Sequence, residues 1–418
     1  MESELFCINR KKILDQMEEG SVLLSFSRPN NIETHNVRFD INRNYFYLCG
    51  VVEYNNIVML VKGIDKTNEI IFINPYDEFK AKCVGAPLSK DEVNKISSIK
   101  DIRYISSFDD VLSNTLQTFN KLYLDIEANN NDEPLSYEAY FADKIVKKMP
   151  YVQIKNGRIL FQHARTIKHE LEIKEFKKAV EITNEGIKNI LSHMGEMYEY
   201  QLESYFDQAI KANGATGYSF PTIAASGANS CCLHYSNNDS YAKNGDLILF
   251  DLGASYNCYC ADISRTFPIS GKYTERQKLI YNIVLNGQKL VFKNAKPGVT
   301  TRELNQILRE YFKEELYKIG LIKEKTEEEV SKYYYHGVSH HIGIDCHDLC
   351  DYTPLRAGSI ISNEPGLYIK EESIGIRIED DVLITENGAL WLSPQIIKEV
   401  DDIEKFIEES RKWWKNLY

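Results

Sequence analysis

GIRIEDDVLIT, residues 375–385, alternates apolar and charged side chains with the two-residue period of a strand. Ile376, Ile378, Val382 and Ile384 take one face, and Arg377, Glu379 and Asp381 take the other. Arg377 and Glu379 are therefore expected to project to the same side. A second stretch, LILFDLGAS (247–255), follows an Asn244-Gly245 turn and sets Asp251 inside an apolar strand. Further polar residues sit in similar apolar surroundings: Asp262 in CADISRTFP, His340 in YYYHGVSHHIGIDCHD and Glu364 in IISNEPGLYI.

Helices are expected between these strands. Leu171, Phe176, Val180, Ile187 and Leu191 recur at helical spacing over 170–192. Others are expected at about 197–213, ending at Gly214, and at about 275–294, ahead of Pro297-Gly298. A fourth starts at Thr300, where Glu303 three residues later completes a capping box, and stops at Gly320. The C-terminal part thus reads as α+β, with polar residues carried on strands. Residues 1 to about 155 alternate β-like runs, VLLSF (22–26), YFYLCGVV (45–52), IVMLV (57–61) and IIFIN (70–74), with helix-like stretches near 89–98 and 134–148. That is the pattern of a modest α/β domain. NGRILFQHARTIKH (156–169) reads as a connection, which divides the chain into 1–157 and 158–418.

The 418 residues exceed one small domain and can bury a core without disulfide or zinc staples. With 43% hydrophobic and 27% charged residues, disordered, collagen-like and coiled-coil chains are excluded. A net charge of −11 argues against nucleic acid as the main partner. No apolar run suits a membrane helix, and MESELFCINRKKILDQ has no signal-peptide core, so a cytoplasmic protein without a membrane partner is expected. The nine cysteines show no framework spacing and read as small buried hydrophobes in a reducing compartment.

Burying Asp251, Asp262, Glu364 and Glu379 requires positive charge, for which Arg265 and Arg377 are the nearby candidates. Two divalent cations would neutralise four carboxylates and leave His340 as a neutral ligand. Taken singly, each residue also reads as a strand-end cap or surface ion pair. His336 and His340 are four apart, but Gly337 replaces the glutamate of a zinc-protease helix, so that motif does not hold. On an extended segment the two would share a face. His35, His163, His169, His193 and His341 read as surface or filler residues, and His234 is ambiguous alone. Cys346, His347 and Cys350 lack the spacing of a thiolate zinc site. Cys258 and Cys260 read as packing, and no glycine-rich phosphate loop is present.

FDLGA, ADISRTFP, HGVSHHIGIDCHD, NEPGLY and GIRIEDD, in that order, resemble the proline-specific metallopeptidases, aminopeptidase P and prolidase. RFDINRNYFYLCGV and RTIKHELEIKEFKKAVEIT are similar to the openings of the family's N-terminal and catalytic domains. The resemblance implies a pita-bread catalytic domain built on a curved antiparallel sheet. It implies Asp251 on one metal, His340 and Glu364 on the other, and Asp262 and Glu379 bridging two divalent ions, manganese being the usual one. It further implies hydrolysis of the bond before a proline at position two by a hydroxide shared between the ions, with Glu364 taking the water proton. His234 and His347 then contact substrate and intermediate, and His336 lines the proline pocket. Tyr368 and Arg377 support the hydrogen-bond network. His341 and Cys346 are not family ligands, and no ligand is missing. A homodimer or tetramer is expected on the same ground. The alternatives are an Xaa-Pro dipeptidase, which shares the metal site, and a non-catalytic scaffold of the same fold. Methionine aminopeptidases resemble only the second half of the chain.

Overall fold

The computed structural model describes residues 1–28, 41–127 and 136–415, with side chains as far as 412. His35 and residues 38–40 of the RFDINRNYFYLCGV motif lie outside them. The chain forms two compact units, Met1–Arg165 and Thr166–Tyr418.

The first unit is a mixed six-stranded sheet in the order Asp101–Tyr104, Thr67–Ile73, Ile57–Lys62, Ser21–Phe26, Lys121–Leu124, Gln153–Asn156. Ser21–Phe26 pairs antiparallel with Ile57–Lys62 and parallel with Lys121–Leu124. One face buries Val22, Leu24, Met59, Phe72 and Leu122 against Phe108, Leu112, Leu116 and Phe141 of two helices. The expected strands at 22–26, 57–61 and 70–74 are present. YFYLCGVV is not a strand. Residues Arg43–Cys49 form a helix, opened by Asn42, whose side chain accepts from the Tyr45 N–H, and closed by Gly50 at φ +67°. A short, wholly apolar run carries no period of its own, so capping decided its state. The expected connection 156–169 also contains a helix, Arg158–Thr166, which buries Leu160, Phe161 and Ala164.

In the second unit the helices Glu170–Ser192, Glu199–Ala212, Glu275–Asn294 and Thr301–Lys318 stand where the spacing places them, and Thr300 with Glu303 forms the expected capping box. The strands pair antiparallel in short groups. Leu247–Leu252 lies between Ile263–Pro268 and Ile223–Ser226, and Asp380–Thr385 lies between Ile360–Asn363 and Gly388–Trp391. GIRIEDDVLIT is divided: Ile374–Arg377 pairs with Gly366–Ile369, and Asp380–Thr385 begins a different sheet. The break falls at Ile378–Glu379, where the Glu379 N–H turns to the Ser264 carbonyl at 3.0 Å. Gly253 permits a second sharp passage just after Asp251, because a Cβ there would lie 1.9 Å from the Ala261 carbonyl oxygen.

Candidate metal centre

Five donors were expected inside apolar strands, and only Asp251 lies within one. Asp262 precedes Ile263–Pro268, Glu364 follows Ile360–Asn363, and Glu379 occupies the break between two strands. His340 sits outside the named strands, in a segment that runs beside Ile360–Asn363: the Ser362 N–H donates to the His340 carbonyl at 2.9 Å, and His341 bridges to Ile361. Strand ends suit the purpose, since side chains leaving a sheet can converge from several directions.

They do converge. Ligand atoms of Asp262, His340 and Glu379 lie within 4.8 Å of one another. His340 Nε2 is 3.4 Å from Asp262 Oδ2 and 3.5 Å from Glu364 Oε1. Asp251 joins through Ser264, whose hydroxyl lies 3.0 Å from Asp251 Oδ1 and 2.7 Å from Glu379 Oε2. That hydroxyl also accepts from Arg377 Nε at 2.7 Å, so Arg377 and Glu379 meet on one side as the alternation implied. Having one proton, Ser264 can donate to only one of its two carboxylates at a time.

Arg377 continues the network. Its Nη2 donates to Asp251 Oδ2 at 2.7 Å and its Nη1 to the Tyr368 hydroxyl at 3.1 Å, which lies 2.9 Å from His336 Nε2. The His340 and His347 rings are 4.1 Å apart. His234 is exposed, and it adds slightly to the burial that lowers both His336 and His347. Arg265 does not serve this cluster. Its guanidinium pairs with Asp380 at 2.7 Å and with backbone carbonyls, because its strand position faces away from Ser264.

The electrostatics follow from that shortage of cations. Burial, then the neighbouring carboxylates Asp262, Glu364 and Asp251, push Glu379 far above the usual carboxylate range. Burial raises Asp251 too, and Asp262 adds to it against Arg377. Glu364 is raised to about 7, first by burial and then by Asp262 and Asp251. Burial alone would lower His340, but Asp262 and Glu364 hold it at about 9. Burial, with Arg377 beside it, lowers His336 to about 4. Buried carboxylates drawn together with one arginine make an oxygen-rich pocket suited to hard divalent cations.

Several contributors were not singled out from sequence. Ser264 is two residues from Asp262, hence on its strand face, and that spacing was the available signal. The Ser362 hydroxyl accepts from the His340 N–H at 2.9 Å and donates to Glu364 Oε1 at 3.0 Å. Asp381 accepts from the Asp262 N–H at 3.3 Å. The Cys346 thiol, expected to be a neighbour and not a ligand, donates to Asp262 Oδ2 at 2.9 Å.

Residues 174–386 match the model of metallopeptidase family M24. The chain belongs to metallopeptidase family M24. The five expected ligand positions, Asp251, Asp262, His340, Glu364 and Glu379, all fall within 174–386. Residues 6–123 match the N-terminal domain of aminopeptidase P. The Xaa-Pro aminopeptidase of Haemophilus influenzae is 31% identical, with 97% of both chains covered. That of Escherichia coli is 28% identical over 96% of this chain and 97% of its own. A solved structure of a candidate aminopeptidase P from Bacillus anthracis superposes with a TM-score of 0.94 at 41% identity, covering 98% and 99% of the two chains. Escherichia coli aminopeptidase P with the inhibitor Pro-Leu gives 0.89 at 27% identity, covering 99% of each. This M24 chain therefore has the pita-bread architecture that its motifs implied.

Proposed function

We propose that this M24 metallopeptidase removes the first residue from peptides with proline at position two, with divalent cations held by Asp251, Asp262, His340, Glu364 and Glu379. The observation that carries the reading is the convergence of Asp262, His340 and Glu379 within 4.8 Å, in a chain matched over 97% of its length by an Xaa-Pro aminopeptidase. Four carboxylates and one imidazole fit two ions, and the oxygen-rich set favours manganese. Bound there, such ions supply an activated water and positive charge for the carbonyl oxygen under attack.

The side chains then divide the work. Glu364, whose Oε1 lies 3.5 Å from His340 Nε2, takes and returns the proton of the attacking water. His336, kept neutral by burial and hydrogen-bonded with Tyr368, lines the proline pocket. Arg377 fixes Tyr368 and Asp251 with two separate nitrogens. His347 and His234 meet the substrate at the exposed rim. The dipeptide Pro-Leu, named as an inhibitor of the Escherichia coli relative, supports room beyond the proline and so an aminopeptidase in preference to a dipeptidase. A cytoplasmic setting belongs to the same proposal, on the reading of the cysteine spacing in the sequence. A homodimer or tetramer belongs to the same proposal on resemblance alone, and sedimentation tests it.

The deciding experiment offers manganese-loaded protein Xaa-Pro-Xaa and Xaa-Pro with the same first residue, with a chelator control. Chelator-sensitive cleavage of the tripeptide is expected. Cleavage of the dipeptide alone would move the assignment to prolidase, and no chelator-sensitive cleavage of either would reject catalysis.

A further inference from the structure

Glu199 is fully buried at the start of helix Glu199–Ala212, and no step of the proposed reaction uses it. Its hydrogen-bond donors are neutral. Oε1 accepts from the Ser226 N–H at 2.7 Å, the Ser226 hydroxyl at 2.7 Å and the Asn229 amide at 3.1 Å. Oε2 accepts from the Tyr235 hydroxyl at 2.9 Å and the Ser240 N–H at 2.9 Å. Five donors exceed the roughly four lone-pair sites of a carboxylate, so each oxygen is fully engaged.

The placement of those donors matters more than their number. Ser226 and Asn229 precede His234 in the chain, and Tyr235 and Ser240 follow it. One carboxylate thus ties both limbs of the segment 226–240, and His234 projects from its middle. The first limb is also seated on the strand that ends in Arg377. Ser230 Oγ accepts from the Gly375 N–H at 2.8 Å, and a Cβ on Gly375 would lie 2.1 Å from the Ser230 carbonyl oxygen. The segment has little regular structure beyond the short helix Gly227–Cys231, so its shape depends on such ties.

We propose that Glu199 is the positioning residue for His234, holding the two limbs of its loop together so that the imidazole stands at the rim beside His336 and His347. The inference rests on the reading that His234 meets substrate. Glutamine at 199 keeps the shape but turns an amide N–H₂ toward donors, leaving some without an acceptor.

The test is a double-mutant cycle on full-length, manganese-loaded protein with an Xaa-Pro-Xaa substrate, comparing Glu199→Gln, His234→Ala and both together. Glu199→Gln should lower kcat/KM about ten-fold or more while manganese affinity stays at the parental value. Added to His234→Ala it should cost less than about two-fold, because the two act as one unit. Multiplying effects, or a Glu199→Gln enzyme at the parental rate, would overturn the proposal. Tyr235→Phe, which removes a single donor, must show the same non-additivity and covers the case in which Glu199→Gln does not fold. Imidazole NMR of the metal-free protein reads position without activity: the His234 resonances should shift in Glu199→Gln, and unshifted resonances would overturn the proposal. A His234→Ala enzyme at the parental rate would instead remove the role given to His234, and the shift would still report on the clamp.

Discussion

Glu379 and Asp380 are adjacent in the chain and almost wholly buried, yet their surroundings are opposite. Asp380 receives Arg265 at 2.7 Å, Lys398 at 2.7 Å, the Ser393 hydroxyl at 2.6 Å and the Gln288 amide at 2.9 Å. Burial works to raise its carboxyl, and Arg265 with Lys398 nevertheless hold it below the usual range. Glu379 receives the Ser264 hydroxyl and faces Asp262, Glu364 and Asp251, so burial and like charge both raise it. The fold is able to neutralise a buried carboxylate where it carries the cations to do so. At Glu379 the missing charge is of the kind a divalent metal supplies.

The comparison can be broken most decisively at its two centres. Glu379→Ala should abolish manganese retention and reduce Xaa-Pro-Xaa cleavage on the order of a thousand-fold or more. Its metal-free melting temperature should hold or rise, since a buried carboxyl crowded by Asp262, Glu364 and Asp251 has been removed. Cleavage within a few-fold of the parent would reject the metal assignment. Asp380→Ala should do the reverse, leaving the Arg265 and Lys398 charges buried without a counter-charge and costing about 3–5 kcal/mol in denaturant unfolding. A loss below about 1 kcal/mol would show that the cluster around Asp380 is not the neutralised reference it is taken for.

A smaller effect is expected between the two centres. Ser264→Ala should weaken manganese binding by roughly 10- to 100-fold, and Ser264→Thr should restore most of it, because the hydroxyl orients Asp251 and Glu379 together. Calorimetric titration decides this, and equal affinity in the alanine variant would reject the role.

The mildest signature is in pH. His340 is raised from 6.5 to about 9, so its contribution to stability is complete below 6.5 and lost as pH rises through about 9. Glu364 is raised from 4.5 to about 7, so its ionisation penalty is absent below 4.5 and complete above about 7. Both act in one direction, while His336 and His341, each lowered from 6.5 to about 4 chiefly by burial, oppose them only below about 6.5, so the metal-free melting temperature should fall between about pH 6.5 and pH 9. The increment produced by manganese should grow over the same interval, because protons compete for the ligands. A melting temperature of metal-free protein that stays level from about pH 6.5 to 9 would contradict the electrostatic imbalance.

Much of this centre was legible before any coordinates. Carboxylates in apolar runs are costly, and Asp251, Asp262, Glu364 and Glu379 stood out for that reason. The long helices were legible from spacing and from caps such as Thr300 with Glu303. Arg43–Cys49 and Arg158–Thr166 were not, because a short helix shows too few turns to establish a period. Arg265 was grouped with the wrong carboxylates, although strand alternation already sends it away from Ser264. Glu199 gave no local signal, as its partners lie 27 to 41 residues further along the chain.

The sequence by itself determined which residue types would need an outside charge and where the long helices lie. Those follow from burial cost and backbone period, and both act over a few neighbouring residues. Only the tertiary structure decided which cation reached which carboxylate, that Ser264 joined Asp251 to Glu379, and that one buried glutamate closed the loop around His234. Those contacts join residues far apart in the chain, and their strength depends on distance and exclusion of water, which packing alone sets.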